Sequence, residues 1–163
     1  MSSDFNKDTL LRSAKRINVS YFKEQQEDAI NAIWQWWQSQ SISFTLSGYA
    51  GTGKTFIMRH LVRYLIVEKV CVTAPTHKAL RVLENSSDKK GMTIQSLCGL
   101  RPDVDIEDYN IENPSFKVIG EQKMRGYKLV IIDECSMINP GLFNLLIKTA
   151  IQCRCKLLFL GEM

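Results

Sequence analysis

The sequence predicts an α/β protein, a parallel β-sheet flanked by helices. Three observations predict it. Gly48-Tyr49-Ala50-Gly51-Thr52-Gly53-Lys54-Thr55 fits G-x-x-x-x-G-K-[ST], the phosphate-binding loop that joins a strand to a helix. Short β-prone segments alternate with segments of helical spacing along the chain. The apolar run Lys128-Leu129-Val130-Ile131-Ile132 has the continuous character of a strand buried on both faces, and Lys156-Leu157-Leu158-Phe159-Leu160 reads as a further strand. Such an alternation implies right-handed crossovers, with ligands at the carboxyl ends of the strands.

At 163 residues, one compact domain is expected. Residues 1–20 form a polar lead-in, with a short helix expected near Leu10 to Arg16; the domain proper is expected over 21–163. Residues 22–38 predict a helix whose apolar stripe is Ile30, Ile33, Trp34 and Trp37, with Trp36 off it. The tryptophans are read as core rather than as base-stacking groups. Ser43-Phe44-Thr45-Leu46-Ser47 predicts a strand. After the loop, Phe56, Ile57, His60, Leu61, Tyr64 and Leu65 recur at helical spacing.

Val70–Ala74 predicts a second buried strand, ended by Pro75. Thr76 is a candidate N-cap for a helix through Leu83, followed by a loop over 84–92. Thr93-Ile94-Gln95-Ser96-Leu97 predicts a short helical start. Residues 99–126 differ in character, with Pro102, Pro114 and β-like pieces near Val104–Ile111 and Phe116–Ile119. They are expected to form a small inserted β-hairpin subdomain outside the main sheet. Asn139 and Pro140 predict the cap and first position of a helix over 139–151.

The loop's residue types suit a polyanion. Gly48, Gly51 and Gly53 allow tight turns and close backbone approach, so that N–H groups, that of Thr52 included, face phosphate. Lys54 supplies a cation for the β- and γ-phosphates, and Thr55 a hydroxyl for Mg²⁺. Asp133, ending a buried strand, is placed to hold the Mg²⁺ hydration shell, and Glu134 to orient or deprotonate an attacking water. ATP and Mg²⁺ are the ligands implied.

The formal net charge of +4 permits nucleic-acid binding without requiring it; Lys123, Arg125 and Lys128 are read as a solvated face. The cysteines, Cys71, Cys98, Cys135, Cys153 and Cys155, are odd in number and lack C-x-x-C spacing, so neither a disulfide framework nor a zinc site is expected. His60 and His77 lack metal-ligand spacing. No stretch reaches membrane-spanning length and no signal-peptide apolar region is present, which makes a cytoplasmic location the default.

Gly48–Thr55, Ala74-Pro75-Thr76-His77-Lys78-Ala79 and Asp133-Glu134-Cys135-Ser136-Met137 occur in the order that resembles the RecD/Dda-like DNA helicases of superfamily 1. The resemblance covers about Tyr21 to Gly161 and implies a P-loop, RecA-like first motor domain acting 5′ to 3′ on single-stranded DNA, in a bacterial or phage-infected cell. It implies that Gln26 contacts adenine, with Gln25 beside it as the alternative. It implies backbone contacts to DNA by Thr76 and His77 and by the segment Thr93–Ser96, where Thr76, Thr93 and Ser96 offer hydroxyls. Helix capping is an equal alternative for each of those three. The insertion at 99–126 falls where the family carries a pin-bearing subdomain that splits duplex.

Two departures accompany the resemblance. The family follows its last strand with Gly-Asp and a Gln two residues on; here Glu162 follows Gly161. The second RecA-like domain, which in the family supplies an arginine finger, is missing from the sequence. The expectation is an incomplete motor with little turnover on its own, since such a finger contributes about 10³–10⁵ in rate in related enzymes. The alternatives are another P-loop ATPase or a nucleotide kinase, and a non-catalytic module. A kinase lid needs arginines, and 99–126 offers only Arg101 and Arg125; intact Lys54, Thr55, Asp133 and Glu134 argue against a dead site.

Overall fold

A computed structural model of the chain describes residues 24–64, 69–87, 89–100 and 120–162. The expected lead-in and its helix, Leu65, and the β-like pieces of the insertion lie outside the described residues. The element order is α1 (Glu24–Gln38), β1 (Ser43–Ser47), α2 (Lys54–Tyr64), β2 (Val70–Thr73), α3 (His77–Ser87), α4 (Ile94–Cys98), β3 (Leu129–Ile132), α5 (Pro140–Cys153) and β4 (Lys156–Gly161). No helix among the described residues is long and apolar enough to cross a membrane.

The sheet is wholly parallel, in the order β1-β4-β3-β2. The chain therefore crosses from β1 to the far edge and returns, laying β4 between β1 and β3. Alternate residues of the central strands bury on opposite faces, as strands covered on both sides must. Ile131, Leu158 and Leu160 join one core with Ile30, Ile33, Ile57 and Leu61 of α1 and α2. Val130, Ile132, Leu157 and Phe159 join the other with Ile94, Leu97, Leu142 and Leu146 of α4 and α5.

Two elements depart from expectation, and a third is described only at its end. Helix α3 continues to Ser87, where a loop was expected from 84, because Leu83 closes its buried row and the hydroxyls of Ser86 and Ser87 bond back to the Leu83 carbonyl. In α1, Trp36 is 5% exposed, whereas Trp34 and Trp37 only flank the core. The row Ile30, Ile33, Trp36 follows i, i+3 spacing, and Phe44 of β1 lies 5.7 Å from the Trp36 ring. The tryptophans are core, as expected, through a different member. The described end of the insertion, from Gly120, lies outside the main sheet and packs against the domain. Gly120 N–H donates to the Gly99 carbonyl at 3.1 Å, and the short 3₁₀ turn Lys123–Gly126 buries Met124 beneath α4 and α5.

Lys156 opens β4 and is 8% exposed. Its Nζ donates to the carbonyls of Trp36, Ser39 and Ser41 at 3.0, 2.8 and 2.8 Å and lies 5.0 Å from the Trp36 ring centroid. A cation thus closes the carboxyl end of α1, where orphan carbonyls carry partial negative charge. Burial lowers its pKa. All five cysteines are free thiols.

Candidate nucleotide-binding site

The loop Gly48–Gly53 leaves β1 and enters α2 at Lys54. Gly51 and Gly53 take φ of 78° and 93°, backbone that a β-carbon strains. A Cβ on Gly53 would also sit 2.1 Å from Gln26 Nε2. Gln26 reaches this point from the first turn of α1 and donates to the Thr52 carbonyl at 3.2 Å. Thr52 Oγ1 donates to the Tyr49 carbonyl at 2.8 Å, which closes the turn. Lys54 Nζ spans the inside of the loop, donating to the carbonyls of Gly48 and Tyr49.

Beside this loop lies a cavity of about 730 Å³. Gly51, Gly53, Lys54 and Thr55 line it from one side, and Asp133 and Glu134 from the other. The sheet order explains the meeting. β1 and β3 flank β4, so the turns at their carboxyl ends face each other across one strand. Asp133 is tied to β2 through its N–H, which donates to the Thr73 carbonyl at 3.0 Å. Its Oδ1 accepts from Glu134 N–H at 2.9 Å. Burial pushes the Asp133 carboxyl above its ordinary value, while that N–H and the Lys54 ammonium pull it back down. Glu134 adopts the left-handed backbone region, φ 54°, and stands exposed at the cavity wall. Strain of this kind in a non-glycine residue gathers at functional sites.

The other predicted residues lie elsewhere. Gln26 touches the loop from outside and does not line the cavity. Thr76 and Thr93 both cap helices: Thr76 Oγ1 accepts from Ala79 N–H at 3.1 Å, and Thr93 Oγ1 from Ser96 N–H at 3.3 Å. His77 is exposed at the start of α3. Ser96 Oγ accepts from Lys123 Nζ at 3.3 Å, a contact across the root of the insertion. Sequence reasoning missed Arg59 and Val82, which also line the cavity. Arg59 lies one turn beyond Thr55 on α2, so i, i+4 spacing was its available signal. Val82 is 64% exposed and lies off the buried Leu80 and Leu83 of α3, so periodicity placed it on the surface without saying over what.

The chain is 30% identical over 142 residues to an ATP-dependent DNA helicase, Dda, of Enterobacteria phage T4, a match covering 85% of this chain and 31% of that protein. It is 35% identical over 136 residues to an uncharacterised protein of Acanthamoeba polyphaga mimivirus, covering 73% of this chain and 28% of the relative. The chain thus spans about a third of the length of these relatives. In fold it is similar to a Pif1 helicase of Bacteroides sp. solved with ADP-AlF4, with a TM-score of 0.57 and 24% identity over 87% of this chain and 32% of that one. The family model described as AAA domain matches residues 21–163. The chain belongs to the AAA domain family, in the superfamily 1 group of Dda-like and Pif1-like proteins.

Proposed function

We propose that this chain binds ATP with Mg²⁺ in the cavity and is the ATP-hydrolysing part of a DNA helicase motor that runs 5′ to 3′ on single-stranded DNA. One observation carries the reading. Lys54 and Thr55 from the end of β1, and Asp133 and Glu134 from the end of β3, line one cavity beside a loop of positive-φ glycines. The helicase assignment rests on likeness to Dda and Pif1.

The residues fit a magnesium ion. Thr55 offers a hydroxyl and Asp133 a carboxylate to the same space, both hard oxygen donors. Among the described residues no group of three or more His, Cys, Asp or Glu converges as a ligand cage. That suits an ion held by one or two protein oxygens, with phosphate and water completing its shell. Bound there, the ion would neutralise charge developing on the transferred phosphoryl group.

The roles of the chain's own groups follow from position. Lys54 exchanges its two loop carbonyls for phosphate oxygens, and the loop N–H groups hold the same oxygens. Glu134, exposed at the wall, orients the attacking water and accepts its proton. Gln26 steadies the loop through Thr52 and is the side chain assigned to adenine. Thr76, His77, Thr93 and Ser96 form the track for the DNA backbone, each contact contributing affinity without sequence information. A second RecA-like domain is the partner that completes the motor.

The deciding experiment is equilibrium binding of a fluorescent ATP analogue to the unaltered chain and to Lys54→Ala. Loss of the cation that meets the phosphates is expected to weaken Mg-ATP binding more than tenfold, roughly the worth of one charge-assisted contact. Unchanged melting is expected, since among the described residues Lys54 hydrogen-bonds only to its own loop. Equal affinities would remove Lys54 from the site and the reading with it.

A further inference from the structure

We propose that Glu162 is a third carboxylate of this site, a positioning residue that makes nucleotide binding depend on Mg²⁺. The inference rests on the nucleotide reading above and assigns a residue that neither the phosphate-loop motif nor the Asp133-Glu134 pair contains.

The topology places Glu162. β4 lies between β1 and β3, so its carboxyl end opens between the phosphate loop and Asp133. Two contacts fix that end. Gly48 N–H, the first of the loop, donates to the Gly161 carbonyl at 3.3 Å. On the other side Gly161 packs so closely on the turn after Glu134 that a Cβ there would lie 2.5 Å from Cys135 Sγ. β4 therefore ends wedged between the two halves of the site, and the next residue, Glu162, is exposed and lines the cavity. Among the described residues Glu162 has no hydrogen bond or ion pair.

Chemistry then limits its role. A carboxylate facing a triphosphate repels it unless a cation or cation-bound water stands between them. Thr55 and Asp133, which line the same cavity, are the oxygens placed to hold the ion, so Glu162 is assigned to the ion's water shell rather than to direct ligation. Two consequences follow. Metal-free ATP meets net repulsion from Glu162 in addition to Asp133 and Glu134. Mg-ATP gains a hydrogen-bond acceptor for its water shell. Glu162 thus raises the ratio of the two affinities from both sides, and it does so from an exposed position.

The test measures the dissociation constant of ATP in excess EDTA and in excess Mg²⁺, for the unaltered chain, Glu162→Gln and Glu162→Asp. The ratio of the two constants is the readout, with no turnover involved. Glu162→Gln is expected to cut the Mg²⁺-dependent tightening about fivefold, most of it through stronger metal-free binding, as suits loss of one partly screened charge. Glu162→Asp, which keeps the charge, is expected to retain most of the ratio. The melting temperature without nucleotide is expected to be the same in all three, which separates this role from a structural one. An unchanged ratio in a Glu162→Gln chain that still binds ATP overturns this inference alone. Failure of the unaltered chain to bind ATP under both conditions overturns the nucleotide reading and this inference together.

Discussion

The carboxyl ends of all four strands lie along one edge of one sheet, yet they treat their functional side chains in two ways. At the ends of β1, β4 and β3, side chains project into a shared cavity: Lys54 and Thr55, Glu162, then Asp133 and Glu134. Their engagements are with neighbours inside the site, as in the bonds of Lys54 to its own loop carbonyls and of Asp133 to Glu134 N–H. Beyond β2, and at the start of α4, the hydroxyls of Thr76 and Thr93 are bonded to helix N–H groups. The groups of the first region face the cavity rather than capping a helix. The second already serves the fold, so an added contact with DNA must share those hydroxyls with the caps. The phosphate-loop motif and the strand-end acids named the first group and the family resemblance the second, but only the first group lines one shared cavity.

The two non-glycine residues with positive φ repeat the contrast. Arg154 takes φ 54° to end α5, where its N–H bonds the carbonyls of Ala150 and Ile151, an ordinary helix terminus. Glu134 takes the same angle at a cavity wall, between a strand end and a 3₁₀ turn. If Glu134 is the water-orienting base, Glu134→Gln should keep Mg-ATP affinity within about twofold while lowering single-turnover hydrolysis on the order of 100-fold, the usual scale for a positioned general base. Rapid-quench assays with labelled ATP check it. Hydrolysis undiminished in the variant would make the strained backbone at Glu134 a matter of chain geometry alone.

Asp133 sharpens the comparison through stability. Its folded pKa lies above the ordinary carboxyl value of 3.8, with burial the leading cause. For an acid raised in this way the fold favours the neutral form. The contribution is fully present below the unfolded pKa and is lost as pH rises through the folded one. At neutral pH the ionised carboxylate therefore costs stability that a ligand-bearing site can recoup. Asp133→Asn is expected to melt at a higher temperature than the unaltered chain at pH 7 without nucleotide, with the difference shrinking toward pH 4. It should also lose the stabilisation that Mg-ATP confers. Calorimetry across pH checks both, and a lower melting temperature at pH 7 would show that Asp133 serves the fold, as the capping threonines do.

How much of this was legible follows the same division. The parallel sheet was readable because strands buried on both faces must be apolar throughout, as Leu129–Ile132 is. The loop was readable because only glycine tolerates the backbone at Gly51 and Gly53. Val82 was not, because its place depends on which helices flank the cavity, and local spacing carries no information about that; Arg59 offered only its i, i+4 spacing from Thr55. Trp36 was misplaced because the i, i+3, i+4 pattern weighs a helix alone, whereas Phe44 and Lys156, distant in sequence, decide which tryptophan turns inward. Lys156 itself was legible only as the first residue of a strand. Its three carbonyl partners come from α1 and the residues after it, more than a hundred positions away.

The smallest expected effects come from the region where two roles share one atom, and there the choice of substituent decides what is learned. Alanine at Thr76 or Thr93 removes the cap, at about 1 kcal/mol, together with any contact to DNA, so it cannot separate them. Aspartate can. It is as good an N-cap as threonine, so Thr76→Asp and Thr93→Asp should each stay within about 0.5 kcal/mol of the unaltered chain in urea unfolding. The same carboxylate repels a phosphate backbone. If these positions lie on the DNA track, each variant should bind a labelled single-stranded oligonucleotide several-fold more weakly in low salt, with a shallower dependence on salt. Lys123 is the internal control, because its contact with Ser96 places a cation beside the same segment. Lys123→Gln should weaken DNA binding by a similar factor if the strand passes there, and leave it untouched if it does not. Full DNA affinity in both aspartate variants would return Thr76 and Thr93 to the fold alone and move the track elsewhere on the surface.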